Sequence, residues 1–304
     1  MAGLYYAKHN KRVQSDLRQL TRALAYSQTM KKLSKKKEVR DNIKKIDRSQ
    51  SSDLKKQYLF ELINSIPHIA RVVTTDQYVY RANKVEEKPS DVSRISYPPK
   101  EIVKIPQGRC NYNGNSVFYC SVDPSAALFE INPREGDLIA LSKWKVEQRV
   151  SAKIIGYTKA ELNSEFNGVG EKSISTSDIG LYDYINKYFD SWFRSPTEHF
   201  YELTSIVSEK LLNDGSLEPG PGGNQIEPVH DNIAILYPSI AWDKSDSKSN
   251  KPAHNIVFSQ KAIDDGVVSA VEIVFGDIGR VEKGSVTFNN TIKTTDISDS
   301  QINW

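Results

Sequence analysis

Only two cysteines and two methionines occur in the 304 residues. Cys110 and Cys120 lie ten positions apart, too few for a disulfide-built scaffold, and two reduced thiols are the plain expectation for a cytosolic chain. His9, His68, His199, His230 and His254 are scattered. None pairs with another at helical or finger spacing, so no metal site is expected. No stretch approaches the run of about 20 apolar residues that a membrane helix needs. The opening MAGLYYAKHNKR has a brief apolar patch before charge resumes, without the apolar core of a secretory signal. A cytoplasmic protein with no membrane partner is expected. Neither a G-x-x-x-x-G-K-[ST] loop nor a G-x-G-x-x-G turn after a strand is present, so any bound phosphate must be held by side chains.

What is present is electrically lopsided. The net charge of +3 conceals 16 Lys or Arg against 5 Asp or Glu in residues 1–60, a balance of +11, and 25 basic against 33 acidic groups in the rest, a balance of −8. A break near Ser65-Ile66-Pro67 divides a basic α-helical N-terminal extension, residues 1–68, from a body, residues 69–304. Val13, Leu17, Leu20, Leu24 and Met30 predict one helix, the lysine-rich stretch 31–48 continues it, and DLKKQYLFELINSI behind Ser51-Ser52 predicts another. Residues 31–56 could touch nucleic acid through Lys and Arg. The plainer alternative is a solvated helical pair that packs on the acidic remainder of the chain.

With 38% hydrophobic residues and a mean hydropathy of −0.52, the chain has material for a core beside a polar portion. The body reads as α+β. ARVVTTDQYVYRA, SVFYCS, DLIALSKW, DNIAILYPSIAW, HNIVFSQ and VVSAVEIVFGDI predict strands. DPSAALFEI predicts a helix with Asp123 as N-cap and Pro124 in its first turn. DIGLYDYINKYFDSWF and PTEHFYELTSIVSEKLL predict two more. EPGPGGNQIEP and DKSDSKSNKPAH read as loops.

One segment concentrates chemistry: GRCNYNGNSVFYCSVDPSAALFE, residues 108–130. Asn113-Gly114 is a strong turn signal. It brings Arg109, before the turn, toward Tyr119, late on the next strand, and Glu130, at the end of the helix that follows. An Arg presents a fork of donors suited to a pyrophosphate. A Tyr offers a flat face with a hydroxyl at its edge. A Glu can hold a ribose hydroxyl or stand beside a developing sugar cation. Together they suit a nucleotide whose glycosidic bond is broken. The plainer alternative is an ion-paired Arg, a half-buried core Tyr and a surface Glu.

The order Gly108-Arg109-x-Asn111-x-x-Gly114-x-x-Val117-x-Tyr119-x-Ser121, followed by Ala126-Ala127-x-x-Glu130, resembles the signature of the RES-domain family. Tyr80-Arg81-Ala82 resembles the family's opening arginine strand. Ile235-Leu236-Tyr237-Pro238-Ser239 resembles the strand that ends in its serine, and His254 to Phe258 the strand after it. The resemblance covers roughly residues 75–275. It implies an ADP-ribosyltransferase-like mixed β core with surrounding helices, and a toxin of a bacterial toxin–antitoxin pair that consumes NAD+ by hydrolysis or phosphorolysis. Some members instead place ADP-ribose on a macromolecule. NAD+ would be substrate rather than cofactor, and a separately encoded helix-turn-helix antitoxin would be the partner. By position, Arg109 and Arg81 would contact phosphates, Asn111 would assist binding, Tyr119 would stack near the nicotinamide ribose, Glu130 would hold the ribose or orient water, and Ser239 would complete the pocket. The basic extension and the stretch 156–177, read as an insertion, depart from the family pattern. A non-catalytic binding protein led by the basic extension is the remaining alternative.

Overall fold

The computed structural model describes residues 35–66, 69–75, 77–99, 107–112, 114–166, 174–176, 178–213, 230–241, 253–282 and 284–304. The helix predicted from Val13, the position of Asn113, and the loop at 218–228 lie outside the described residues. The chain divides into two compact units, Met1–Ser65 and Ile66–Trp304.

In the first unit, helix α1 covers 35–48 and helix α2 covers Ser52–Ile63. Ser51 starts α2 by accepting the Leu54 N–H on its hydroxyl, which satisfies one of the donors a helix leaves open at its start. Val39, Ile43 and Ile46 recur on one face of α1 and are buried, as are Leu59, Leu62 and Ile63 of α2. The two helices lie side by side: Asn42 donates to Glu61 at 2.9 Å, and the Lys45 ammonium sits 5.0 Å over the Tyr58 ring.

The second unit is α+β, built on a nine-stranded mixed sheet. Its strands are β1 (Ile69–Val73), β2 (Tyr78–Lys84), β3 (Val117–Ser121), β4 (Leu138–Val146), β5 (Val150–Ile154), β6 (His230–Pro238), β7 (His254–Ser259), β8 (Val268–Glu282) and β9 (Ser285–Thr294), ordered β1-β5-β6-β7-β3-β2-β4-β8-β9. All neighbours are antiparallel except β5 and β6. A small hairpin, β10 (Asp296–Ser298) with β11 (Gln301–Asn303), follows.

Chain length forces this sheet to curl. Val73 and Tyr78 are separated by five residue steps, a reach of at most about 18 Å. Their strands stand five places apart in the sheet, about 24 Å if it were flat. The short β4–β5 link repeats the constraint. The two halves therefore fold over each other and bury a common core in which Val79, Phe118, Trp144, Val150, Leu236 and Ile256 meet. Phe118 and Trp144 pack edge to face with centroids 4.6 Å apart, and the Trp144 indole N–H donates to Ser142 at 2.7 Å, so the buried polar atom is satisfied.

The halves, β1-β5-β6-β7-β3 and β2-β4-β8-β9, join through a single registered pair, Tyr80 with Ser121. Helix α3 (Pro124–Glu130) rests outside this joint over a second apolar cluster containing Ala82, Ala127, Leu128, Ile139 and Ile278. The Asp123 carboxylate caps it, accepting the N–H of Ser125 at 2.8 Å and of Ala126 at 3.2 Å. Among the described residues the second unit also carries helices α4 (Lys159–Glu165), α5 (Ile179–Phe193), α6 (Tyr201–Asn213) and α7 (Gln260–Asp264). Of the stretch 156–177, read from the sequence as an insertion, the described residues 156–166 and 174–176 are part of the second unit. Tyr157, Leu162, Phe166 and Ile174 enter the main core, and Thr158 and Glu161 form a capping box for α4.

Candidate functional site

A cleft opens where the ladder between β2 and β3 lapses. Its floor is one cross-strand row. Tyr80 registers with Ser121, Ser121 with Asn255, and Asn255 with Tyr237. Since side chains of registered residues share a face, four adjacent strands present this row together. Arg81 fills the gap itself. Its Nη1 donates to the Tyr119 carbonyl at 2.7 Å, standing in for a missing ladder bond, and its guanidinium lies 5.4 Å from the Phe118 ring centre.

The segment 108–111 folds over one side. The Gly108 N–H donates to the Asn111 carbonyl at 3.0 Å, closing a tight turn. A Cβ on Gly108 would fall 2.4 Å from Asn111 Oδ1 and 2.9 Å from the Tyr119 hydroxyl, so this position admits no side chain without displacement. The Tyr119 hydroxyl accepts the Cys110 N–H at 2.6 Å and donates to Asn111 Oδ1 at 2.9 Å. Asn111 in turn donates to the carbonyls of Tyr112 and Asn115. Tyr119 is thus locked by its own turn, and burial first of all holds its hydroxyl pKa well above the ordinary value.

Arg109 donates through Nη2 to the Ser195 carbonyl at 3.0 Å and lies 5.7 Å from the ring centre of Tyr201, the first residue of α6. Burial works against its charge, but the Tyr237 and Tyr201 hydroxyls and the Glu130 carboxylate outweigh it, and the pKa is raised. Arg81 moves the other way, to about 10, chiefly through burial, and remains cationic at neutral pH.

Opposite stands Glu130, the last residue of α3. Its Oε1 accepts from Ser239 Oγ and from Asn255 Nδ2, both at 2.6 Å. Ser239 and Asn255 are buried, whereas Glu130 is exposed. Two fixed donors therefore hold a carboxylate that faces open space. Two cavities meet here, of about 540 Å³ and 670 Å³, and share Arg109, Glu130 and Tyr201. The inner one is walled by Tyr80, Arg81, Tyr119, Tyr237 and Asn255, the outer one by Phe129, Pro133, Pro196, Ile240 and Val281.

Of the residues singled out from the sequence, Arg81, Arg109, Tyr119 and Glu130 line one cavity. Ser239 stands behind Glu130 and Asn111 behind Tyr119, each as a brace. Tyr80, Tyr201, Tyr237 and Asn255 were not singled out. The one signal for Asn255 was a polar residue at the head of the apolar run Ile256–Phe258. Cys110 and Cys120 are free and buried, and burial pushes the Cys110 thiol up to about 12, so it is not a thiolate nucleophile. Among the described residues no helix is long and apolar enough to cross a membrane.

Fold and site together define an α+β protein with a two-chambered cleft at the split of its sheet. No family model, no curated protein and no solved structure matches the chain.

Proposed function

We propose that the protein cleaves the nicotinamide–ribose bond of NAD+. The observation that carries the reading is the Glu130 carboxylate, fixed by Ser239 and Asn255 at the neck between two chambers that it shares with the Arg109 guanidinium. A dinucleotide has two heads and an anionic bridge. One chamber takes each head, and Arg109 at the neck neutralises the pyrophosphate.

Cleavage breaks the bond between the ribose anomeric carbon and the pyridinium nitrogen. The electron pair goes to that nitrogen, and nicotinamide leaves neutral. The sugar passes through an oxocarbenium-like state, and the Glu130 charge stabilises the cation as it forms. Water then adds to the anomeric carbon, giving ADP-ribose and a proton. Inorganic phosphate in the same place would give the sugar phosphate. The reading takes the half-sheets joined at one rung as an ADP-ribosyltransferase-like core, and the protein as a RES-type toxin held in check by a separate helix-turn-helix partner in the cytoplasm.

The test is nicotinamide release by purified protein, wild type beside Glu130→Gln, with and without phosphate. Gln keeps the shape and loses the charge, so the rate is expected to fall about 10²-fold or more while the melting temperature is retained. A Glu130→Gln variant as active as wild type would remove the carboxylate from this mechanism.

A second reading concerns α1. Lys37, Arg40, Lys44 and Arg48 are exposed and fall within a sector of about 80° on a helical projection. Asp41 and Asp47 flank that sector and none of its members is acidic. A row of cations at this spacing suits a nucleic-acid backbone.

A further inference from the structure

Six buried side-chain polar atoms have no hydrogen-bond partner among the described residues, and four of them belong to residues of the inner chamber: Arg81 Nε, Arg109 Nε, Asn83 Oδ1 and Asn255 Oδ1. An unpartnered buried polar atom costs about 1–3 kcal/mol, and native proteins keep few of them. Their gathering on residues that wall one cavity points to a place where a ligand, with a small shift of these side chains, completes the bonding. The set is also mixed, with two donors and two acceptors. A carboxylate or a phosphodiester offers acceptors alone. It would serve the guanidinium nitrogens and leave both amide oxygens facing negative charge.

Asn255 is the most constrained of the four. It is 3% exposed and sits in the floor row between Ser121 and Tyr237. Its orientation is chemically forced, because a carboxylate can accept only from the amide nitrogen. With Nδ2 bound to Glu130 at 2.6 Å, Oδ1 is the end left for a ligand, and it requires a donor.

We infer that Asn255 is the specificity-determining residue of the inner chamber. It accepts an N–H of the nicotinamide carboxamide on Oδ1, Arg81 Nε supplies the donor to the carboxamide oxygen, and the site rejects the nicotinic acid form. This rests on the NAD+ reading and deepens it. One side chain then addresses both ends of the leaving group: Nδ2 steadies the carboxylate beside the bond that breaks, and Oδ1 holds the substituent across the ring. A site that hydrogen-bonds an N–H leaves its acceptor unpaired when the analogue lacks that group, and the carboxylate adds repulsion from Glu130 nearby. Discrimination on the order of 10²-fold or more follows.

The experiment compares kcat/KM for NAD+ with that for nicotinic acid adenine dinucleotide in wild type, Ser239→Ala and Asn255→Ala. Each variant loses one hydrogen bond to Glu130, so absolute rates fall in both. The ratio between substrates separates them. Wild type and Ser239→Ala are expected to favour NAD+ by about 10²-fold or more, and Asn255→Ala to bring the two substrates within a few-fold. A wild-type ratio near one, or an Asn255→Ala ratio equal to wild type, overturns the assignment. If wild type consumes neither dinucleotide, the cleavage reading fails by itself, and the assignment is judged on binding. Ligand-observed NMR with nicotinamide and with nicotinate should then show the amide bound by wild type, lost in Asn255→Ala, and the acid excluded. Equal binding of the two, or binding of neither, overturns it.

Discussion

At the scale of single residues the cleft depends on what surrounds each functional group as much as on the group. Glu130 is open to solvent, yet two buried donors fix one of its oxygens. Tyr119 is held by the turn that carries Arg109, and that turn exists because Gly108 has no side chain. Gly108→Ala must push Asn111 or Tyr119 aside, with an expected loss of about 1–3 kcal/mol, read as a lower urea midpoint, and a larger loss of nicotinamide release. Unchanged stability and activity would show that the turn yields freely. Arg109, Tyr119 and Glu130 lie within one short segment, where a strand and a helix follow in sequence, so their proximity could be read locally, while their roles came only with the family resemblance. Asn255 was not legible locally. Its role depends on register with β3 and β6 and on a carboxylate 125 positions away in sequence, and no local pattern encodes either.

At the scale of elements, the joint between the half-sheets is held by one registered pair and by Arg81. Arg81→Met keeps much of the apolar stem and removes the donor to the Tyr119 carbonyl. It should cost about 1–3 kcal/mol and speed amide exchange along β3 and the near end of β2 before other strands. Uniform exchange throughout the sheet would argue against a local joint. On α1, replacing Lys37, Arg40, Lys44 and Arg48 with Gln should weaken low-salt binding of a fluorescent oligonucleotide at least about tenfold. It should also flatten the salt slope by roughly 0.7–0.9 per lost phosphate contact with helicity unchanged. Binding retained in that variant would retire the nucleic-acid reading. Most strands of the body announced themselves through runs of Val, Ile and Tyr. β9 did not, because SVTFNNTIKT is largely exposed and its polar residues mask the alternation. The capping box of α4 was in plain view at Thr158 and Glu161, but the stretch departs from the family pattern and was read only as an insertion.

At the scale of the whole molecule, the curl of the sheet was invisible in the sequence. It appears only when the strand order is set against the length of the β1–β2 and β4–β5 links, and pairing partners are long-range facts. The buried core that the curl creates has an acid-sensitive member. His254 bonds to the Tyr157 hydroxyl at 2.6 Å, and burial first, then Arg71 and Arg194, lower its pKa to about 4. The unfolded chain takes up a proton on this ring near pH 6.5, while the folded chain resists until about pH 4. Stability contributed by the neutral ring is complete above pH 6.5 and falls as pH drops through this window, by roughly 3 kcal/mol. His254→Asn should lower stability at neutral pH and flatten the decline, measured as urea midpoints at pH 7 and pH 4.5. An undiminished decline would assign the acid sensitivity elsewhere.

The floor row also has a consequence for how the protein is made. Its residues come from positions 80, 121, 237 and 255 of 304, and β7, which carries the last of them, fills the place between β6 and β3. A chain growing from its N-terminus on the ribosome can display the Arg109–Tyr119–Glu130 segment early. It has no completed floor until β7 has emerged and slotted between two strands already made. Nascent and truncated chains that stop short of Asn255 therefore lack the strand that closes the row, and the cleft takes its full shape only late in synthesis.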